Sequence, residues 1–223
     1  MKLVNHKYGL RIELKEGEVT VIVLEEPHAM VDIVNGLQMQ VNGKEGDFIL
    51  SEETDELKMS KYWNMIINPF SIDLNDRKVL SKLYAELVDE AKKYIEEKTI
   101  YNEVAIDLLD KIVADSPYQE LTYDFDMEWN NFFKLYDIKF ESNAENLLEI
   151  LLEYIRVTAS LFRYSGLILV GIKSYLNEEE LRELYKMSCY YKIQLILVES
   201  FERKKLENER IYIIDKDLCL IIK

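Results

Sequence analysis

Two short apolar runs on either side of an amphipathic helix limit the fold of this sequence more than any other feature. The runs span residues 167–172 and 193–198, and each is six residues long. Between them, Asn177 and Glu180 have the spacing of a helix capping box, and apolar side chains then recur at helical intervals. A strand–helix–strand unit of this kind joins parallel strands. The sequence therefore predicts an α/β fold, and its few Gly and Pro residues argue against an all-β sandwich.

The N-terminal segment has patterns that belong to the same α/β body. Residues 8–14 and 18–24 have strand patterns with a turn between them, and the second is apolar enough to lie inside a sheet. Pro27 suits the first turn of a helix that follows directly. Two further short strands are predicted at 48–50 and 63–67.

The middle of the chain has helix spacing rather than strand spacing. Asn75 is a good N-cap for a long amphipathic helix, and we interpret Asn102 as the cap of a second helix. A short helix is predicted near residues 129–136. Ser142 and Glu145 have capping-box spacing and predict the start of the next helix.

These patterns divide the chain into two domains. Both ends contribute to an α/β head, and the helical middle forms an insertion that we call the leg. The predicted bounds are residues 1–73 and 143–223 for the head and residues 74–142 for the leg.

The connection between the second strand and its helix is where a nucleotide-binding domain would hold phosphate. A phosphate loop needs glycines, a lysine, and a serine or threonine. This connection reads Glu25-Glu26-Pro27-His28, which offers two carboxylates and neither Gly nor Lys. Because carboxylates repel phosphate, we predict the frame of a nucleotide-binding domain without nucleotide binding. Glu199, at the end of the run 193–198, is interpreted as a strand-end residue that faces solvent.

Other catalytic arrangements are not indicated. The only histidines are His6 and His28, and neither has metal-ligand spacing to a cysteine or to the other histidine. We therefore expect no enzyme activity. Cys189 and Cys219 lie in apolar patterns and are interpreted as reduced core thiols. With no visible signal peptide and no run long enough for a membrane span, the expected location is the cytoplasm.

Negative charge is concentrated in one part of the leg. The net charge is −14, and residues 103–128 contain eight acids and one base. Oxygen donors at short spacing are what Ca²⁺ prefers, although the order of an EF-hand is missing. A solvated acidic surface is the alternative. The candidate metal ligands are Glu120, Asp124, Asp126 and Glu128.

Basic residues are scattered along the chain, and the net charge by itself disfavours nucleic acid. Arg77 and Lys78 open the long helix of the leg, and Lys134 and Lys139 follow the acidic segment. These four are the candidate DNA contacts. Solvated surface charge is the alternative for each of them.

An ordered set of segments resembles the accessory spacer-acquisition proteins of type II-A CRISPR systems. The resemblance covers most of the chain from residue 68 onward. The matching segments are 68–75 (NPFSIDLN), 138–142 (IKFES), 161–164 (LFRY), 167–170 (LILV), 175–180 (YLNEEE), 196–199 (ILVE) and 212–217 (YIIDKD).

The resemblance implies a head similar to a P-loop ATPase that has lost its phosphate loop, together with a helical leg. It implies a homotetrameric ring that holds linear double-stranded DNA, binds at DNA ends and carries calcium in its legs. It also implies no enzyme activity, no nucleotide and no membrane, with an integrase pair and a guide-directed nuclease as partners. Lys139 lies in a matching segment, and the four candidate metal ligands lie in the family's acidic region.

In a ring, the negative net charge would no longer disfavour DNA binding. Four subunits can line a hole with lysines, while bound calcium neutralises carboxylates that would otherwise repel phosphate. Contacts to the DNA backbone alone give no sequence preference. Two alternatives remain open: a protein-interaction scaffold that ignores DNA, and a metal-dependent nuclease that uses the acids of residues 124–128.

Overall fold

The computed structural model describes residues 1–118 and 120–223. The chain divides into two compact units. Met1–Asp73 and Ser142–Lys223 form the head, and Leu74–Glu141 form the leg. Within the described residues, no helix is both long and apolar enough to cross a bilayer.

The strands of the described residues are β1 (Lys2–Asn5), β2 (Leu10–Glu13), β3 (Val19–Leu24), β4 (Phe48–Glu52), β5 (Asp55–Leu57), β6 (Trp63–Ile66), β7 (Gly166–Val170), β8 (Gln194–Glu199), β9 (Glu209–Ile214) and β10 (Leu220–Ile222). The α-helices are α1 (Pro27–Val41), α2 (Met59–Tyr62), α3 (Arg77–Ala91), α4 (Ile95–Ala114), α5 (Trp129–Leu135), α6 (Leu147–Leu161) and α7 (Glu178–Tyr190).

The larger sheet of the head has the order β10-β9-β3-β8-β7-β6. Its strands from β9 to β6 run parallel, and only β10 is antiparallel. All six residues of β3 are buried, as expected for an apolar strand inside a parallel sheet. The predicted crossover from β7 through α7 to β8 is confirmed, and so is the α/β fold class.

One face of this sheet packs into the main core of the head. Ile22 and Ile196 from the sheet share this core with Ile33 and Leu37 of α1. The same core includes residues of a second, antiparallel sheet of order β2-β1-β4-β5. The strand prediction from sequence did not include β1 or β5, because each is short and half polar.

A close approach at the start of β7 requires glycine. A Cβ atom on Gly166 would lie 2.3 Å from the nearest ring atom of Trp63, which is buried on the neighbouring strand β6. Because no side chain fits there, only glycine can occupy the first position of this strand.

The leg has a small aromatic core. Tyr84 and Ala91 of α3 pack with Phe133 of α5, and Trp129 and Phe132 lie against them. In contrast, none of the 20 residues of α4 is buried. The leg therefore covers this long helix only in part: Tyr101 contacts the rings of Phe125 and Phe132, while several large apolar side chains stay exposed.

Three predicted helix starts are wrong by one to eight residues. The cap of α3 is Asp76, whose side chain accepts the N–H of Val79, and not Asn75. Asn102 lies inside α4, which begins at Ile95. The cap of α6 is Asn146, and Ser142 instead donates to Glu153.

Candidate nucleic-acid interface

Three of the four predicted DNA contacts lie near each other in the leg. The side chain of Asn75 donates to the carbonyl of Phe140 at 3.0 Å and accepts its N–H at 2.8 Å. This pair fixes the segment before Phe140 beside the first turn of α3. Lys139 therefore lies near Arg77 and Lys78, and all three side chains are exposed.

Lys134 occupies the last turn of α5 and is also exposed. The Tyr84 hydroxyl donates to the Ile138 carbonyl at 2.9 Å, which holds the chain after α5 against α3. Lys139 forms an ion pair with Asp137 that raises the pKa of the lysine. Lys139 therefore remains a charged cation at neutral pH, on a segment whose backbone is fixed by hydrogen bonds.

The acidic segment of the leg is partly neutralised by contacts within the leg. Asp126 forms an ion pair with Lys98 at 3.0 Å. The Tyr123 hydroxyl donates to Asp110 at 2.5 Å, which raises the pKa of the tyrosine. Glu128 stands at the N-cap position of α5, although its side chain makes no capping hydrogen bond.

The predicted calcium ligands Glu120, Asp124, Asp126 and Glu128 are all exposed. Their carboxylate oxygens have the chemistry that Ca²⁺ prefers. However, across residues 1–118 and 120–223 no three Asp, Glu, His or Cys side chains are grouped so that they could hold a metal ion. The donor chemistry fits calcium, but the arrangement in this structure is not a formed site.

At the helix N-terminus where a phosphate loop would hold phosphate, the head has a carboxylate of its own. Glu26 caps α1 directly after β3 and accepts the N–H of Ala29 at 2.6 Å. Backbone N–H groups of His28 and Ala29 lower the pKa of Glu26. The N–H groups at a helix N-terminus are what would hold a phosphate. Here the side chain of Glu26, a residue of the chain itself, occupies that position.

The interpretation of Glu199 as a solvent-facing residue is wrong. It is only 2% exposed, and its carboxylate accepts the backbone N–H of Lys173 at 2.9 Å. Burial raises the pKa of Glu199. The strand-end position suggested exposure, whereas the segment after β7 in fact covers this carboxylate.

A buried ion pair lies in the same part of the head. The Lys173 ammonium group lies 2.7 Å from the Glu209 carboxylate. Glu209 also accepts the Tyr185 hydroxyl at 2.5 Å and the Leu206 N–H at 2.8 Å. This network ties the segment after β7 to both ends of the loop between β8 and β9. Its only sequence signal is a pair of charged residues next to apolar strands.

Comparison with known proteins identifies the family. A family model described as CRISPR-associated protein (Cas_Csn2) matches residues 40–218. The chain belongs to the Csn2 family. This confirms the resemblance to the accessory proteins of type II-A CRISPR systems that the ordered segments indicated.

A solved structure shows that the fold is shared by this Csn2-family chain. The crystal structure of Stu0660 of Streptococcus thermophilus is 15% identical, with a TM-score of 0.62 over 100% of this chain and 76% of that chain. A dimeric ATP-binding cassette, MJ0796 bound to ADP and Pi, is 13% identical and covers 92% of this chain and 84% of that chain. Its TM-score is 0.38. No sequence among the curated proteins matches the chain.

Helix α4 gives this Csn2-family chain an exposed apolar stripe. Ile100, Val104, Leu108 and Ile112 recur every fourth residue, and each is at least 57% exposed. Residues at this spacing lie on one side of a helix. We refer to these four side chains as the α4 stripe.

Both cysteines of the chain are exposed and free in the described structure. The interpretation of Cys189 and Cys219 as core thiols is therefore wrong, although neither forms a disulfide. Cys189 is near the end of α7, where the apolar pattern belongs to its neighbours, and Cys219 lies in the turn before β10.

Proposed function

We propose that this Csn2-family protein is a non-enzymatic accessory of CRISPR spacer acquisition that binds linear double-stranded DNA at its ends. The observation that carries the proposal is the grouping of Arg77, Lys78 and Lys139 by the two hydrogen bonds between Asn75 and Phe140. Three cations fixed on ordered backbone can neutralise successive phosphates. Such contacts carry no sequence information, which suits a protein that handles arbitrary spacers.

The proposed assembly is a homotetrameric ring. The α4 stripe supports self-association, because monomers rarely leave a row of large apolar side chains uncovered, and most soluble oligomers are symmetric. Leu108→Glu is expected to shift the protein to smaller species in sedimentation velocity. Thr99→Glu adds the same charge at an exposed position outside the stripe and serves as the control. An unchanged sedimentation coefficient for Leu108→Glu would count against the stripe as an interface.

Calcium is the second part of the proposal. Residues 120–128 supply oxygen donors of the right type, and bound Ca²⁺ would cancel charges that repel DNA. Because no group of three donors is formed in the described structure, binding requires this segment to rearrange. The proposed DNA contacts remain Arg77, Lys78, Lys134 and Lys139.

The proposal excludes nucleotide binding because Glu26 holds the anion position of the helix. It places the protein in the cytoplasm, away from membranes. There it would meet linear DNA, an integrase pair and a guide-directed nuclease. The head then contributes a scaffold for the assembly rather than a reaction.

The test compares linear duplex with covalently closed circular duplex, each in calcium and in a chelator, by fluorescence anisotropy across a salt series. Linear duplex is expected to bind in calcium, and log K is expected to fall with log salt by about 0.9 per neutralised phosphate. The triple variant R77A/K78A/K139A should show a shallower slope. A matched control, K15A/K44A/K216A, removes the same charge from exposed head positions.

Each alternative predicts a different result in these assays, to which an incubation of DNA with Mg²⁺ or Mn²⁺ is added. If both triple variants weaken DNA binding equally, the leg residues act only through the overall charge of the protein. No binding to either DNA form would leave the protein-interaction scaffold. Shortened DNA after incubation with Mg²⁺ or Mn²⁺ would favour the metal-dependent nuclease with acids of residues 124–128.

A further inference from the structure

Three consecutive loops of the head meet at the carboxyl edge of its parallel sheet. They follow β6, β7 and β8, which are neighbouring parallel strands, so their ends lie at the same edge. Each loop exposes one aromatic side chain. Phe70 is 65% exposed, Tyr175 51% and Phe201 49%. Open α/β sheets bind ligands at this edge, so three exposed rings there need an explanation.

Side-chain contacts join these rings into one surface. The rings of Phe70 and Tyr175 meet edge to face with their centres 5.0 Å apart. The guanidinium of Arg203 lies 4.5 Å from the ring centre of Phe201 and donates to the Ser174 hydroxyl at 3.2 Å. Because Ser174 precedes Tyr175, Arg203 links the loop after β8 to the loop after β7. We call Phe70, Tyr175, Phe201 and Arg203 the edge surface.

The loop after β8 carries a small excess of positive charge beside the edge surface. Residues 200–208 contain three bases and two acids. One of the acids, Glu202, is paired with Lys223 at 2.8 Å. Lys204 is paired with Glu178, which Arg182 also contacts. Among the described residues, Arg203 and Lys205 have no carboxylate partner within ion-pair distance.

The loop that carries this charge is anchored by the buried network. Glu199 at one end accepts the Lys173 N–H, and Glu209 at the other end pairs with the Lys173 ammonium group. The N–H of Leu206, inside the loop, also binds Glu209. An anchored loop needs little further ordering when a ligand arrives, which favours binding. The network therefore gives the edge surface a fixed scaffold.

We propose that the edge surface binds unpaired nucleotides of DNA. Exposed rings stack on bases, and nearby cations attract the phosphates between those bases. Bases inside a duplex are already stacked on each other, so the faces that such rings need are presented by single strands and by overhanging ends. This goes beyond duplex binding by the leg, and it uses none of the leg residues.

The test uses the full-length protein and three fluorescent probes: a 20-nucleotide dT strand, an abasic strand of the same length, and a blunt duplex. The dT strand is expected to bind much more tightly than the abasic strand, which keeps the phosphates but offers no bases. F201A and Y175A should each weaken dT binding by about 5- to 150-fold, the range for one lost base stack. The control Y190A removes a ring of α7 that is still more exposed, at 77%, and should leave binding unchanged.

The outcomes separate this inference from the duplex proposal. Tight dT binding that both edge variants weaken, with or without duplex binding, supports the edge surface. Equal affinity for dT and abasic strands would overturn it without any variant. Binding of blunt duplex but not of dT would also overturn it while leaving the leg proposal intact. In either of those cases, an acidic protein surface would become the better occupant for the exposed rings and cations.

Discussion

In the head, Glu199 and Glu209 are buried and receive hydrogen bonds and an ion pair, whereas in the leg Asp124, Asp126 and Glu128 lie exposed in a row. The buried carboxylates have fixed partners because an unpaired charge in the interior costs several kcal/mol. The exposed carboxylates retain their hydration, and one of them has a lysine partner. The same chemical group is therefore held by fixed partners in one unit and remains open to a ligand in the other.

The largest effect that would sharpen this comparison comes from the buried lysine. Lys173→Met leaves Glu209 without its counter-charge and should destabilise the protein by about 3–5 kcal/mol. Urea unfolding of the variant measures this change. The double variant K173M/E209Q removes both charges and should recover part of the loss. Lys204→Met, which breaks an exposed pair with Glu178, should cost less than about 1 kcal/mol. Equal losses of unfolding free energy for Lys173→Met and Lys204→Met would show that burial does not set the importance of the ion pair.

Calcium should produce the next largest effect, and in the leg alone. A cation present at 100 times its dissociation constant stabilises the state that binds it by about 2.7 kcal/mol. Thermal melts with calcium and with a chelator would show the shift. D124N/D126N should abolish it, whereas E16Q/E45Q changes two exposed head acids and should not. A shift that survives D124N/D126N would place the cation elsewhere.

A smaller effect depends on pH and belongs to the head. Burial raises the folded-state pKa of Glu199 above its unfolded value. The folded protein thus holds this proton more tightly, so the ionised carboxylate costs stability above the folded-state pKa. That cost disappears as pH falls below the unfolded value of about 4.3. The stability of Glu199→Gln relative to the parent should therefore decline from pH 7 to about pH 4. A difference that does not vary with pH would contradict the assignment.

The smallest effect concerns the ion pair of the leg between half-buried Lys98 and exposed Asp126. Lys98→Ala removes the partner of Asp126 and should change stability by about 0.2–1 kcal/mol. The same change frees an oxygen donor, so calcium should bind the variant more tightly in isothermal titration. Lys111→Ala, which breaks the neighbouring exposed pair with Asp107, is the control. Weaker calcium binding to K98A than to K111A would show that Asp126 is not a ligand.

The elements predicted well from sequence are those with local signals. The strands β3, β7 and β8 are short apolar runs, and the capping box of Asn177 and Glu180 forms as predicted. The helix start at Ser142 failed because Asn146, four residues later, caps α6 instead. The start at Asn102 failed because α4 begins at Ile95 without a capping side chain. The choice of helix start depends on which turn packs, and packing is not a local property.

The buried network could not be predicted for a different reason. Lys173 forms hydrogen bonds with Glu199 and Glu209, which lie 26 and 36 residues away in the sequence. A sequence pattern shows that a charge follows a strand, but not what will cover it. The grouping of Arg77 with Lys139 has the same origin, since Asn75 and Phe140 lie 65 residues apart. The residue types of the candidate interface were visible in the sequence, and their proximity was not.

The Glu26 cap has a consequence for how the head responds to its surroundings. A ligand that binds a folded domain makes its stability depend on the ligand's free concentration. Here the anion at the helix is part of the chain, so its effective concentration is constant. If the head binds no nucleotide, as we propose, its stability does not vary with the nucleotide supply of the cell. A single substitution at Glu26 would vacate the position without restoring the glycines and lysine that a phosphate requires.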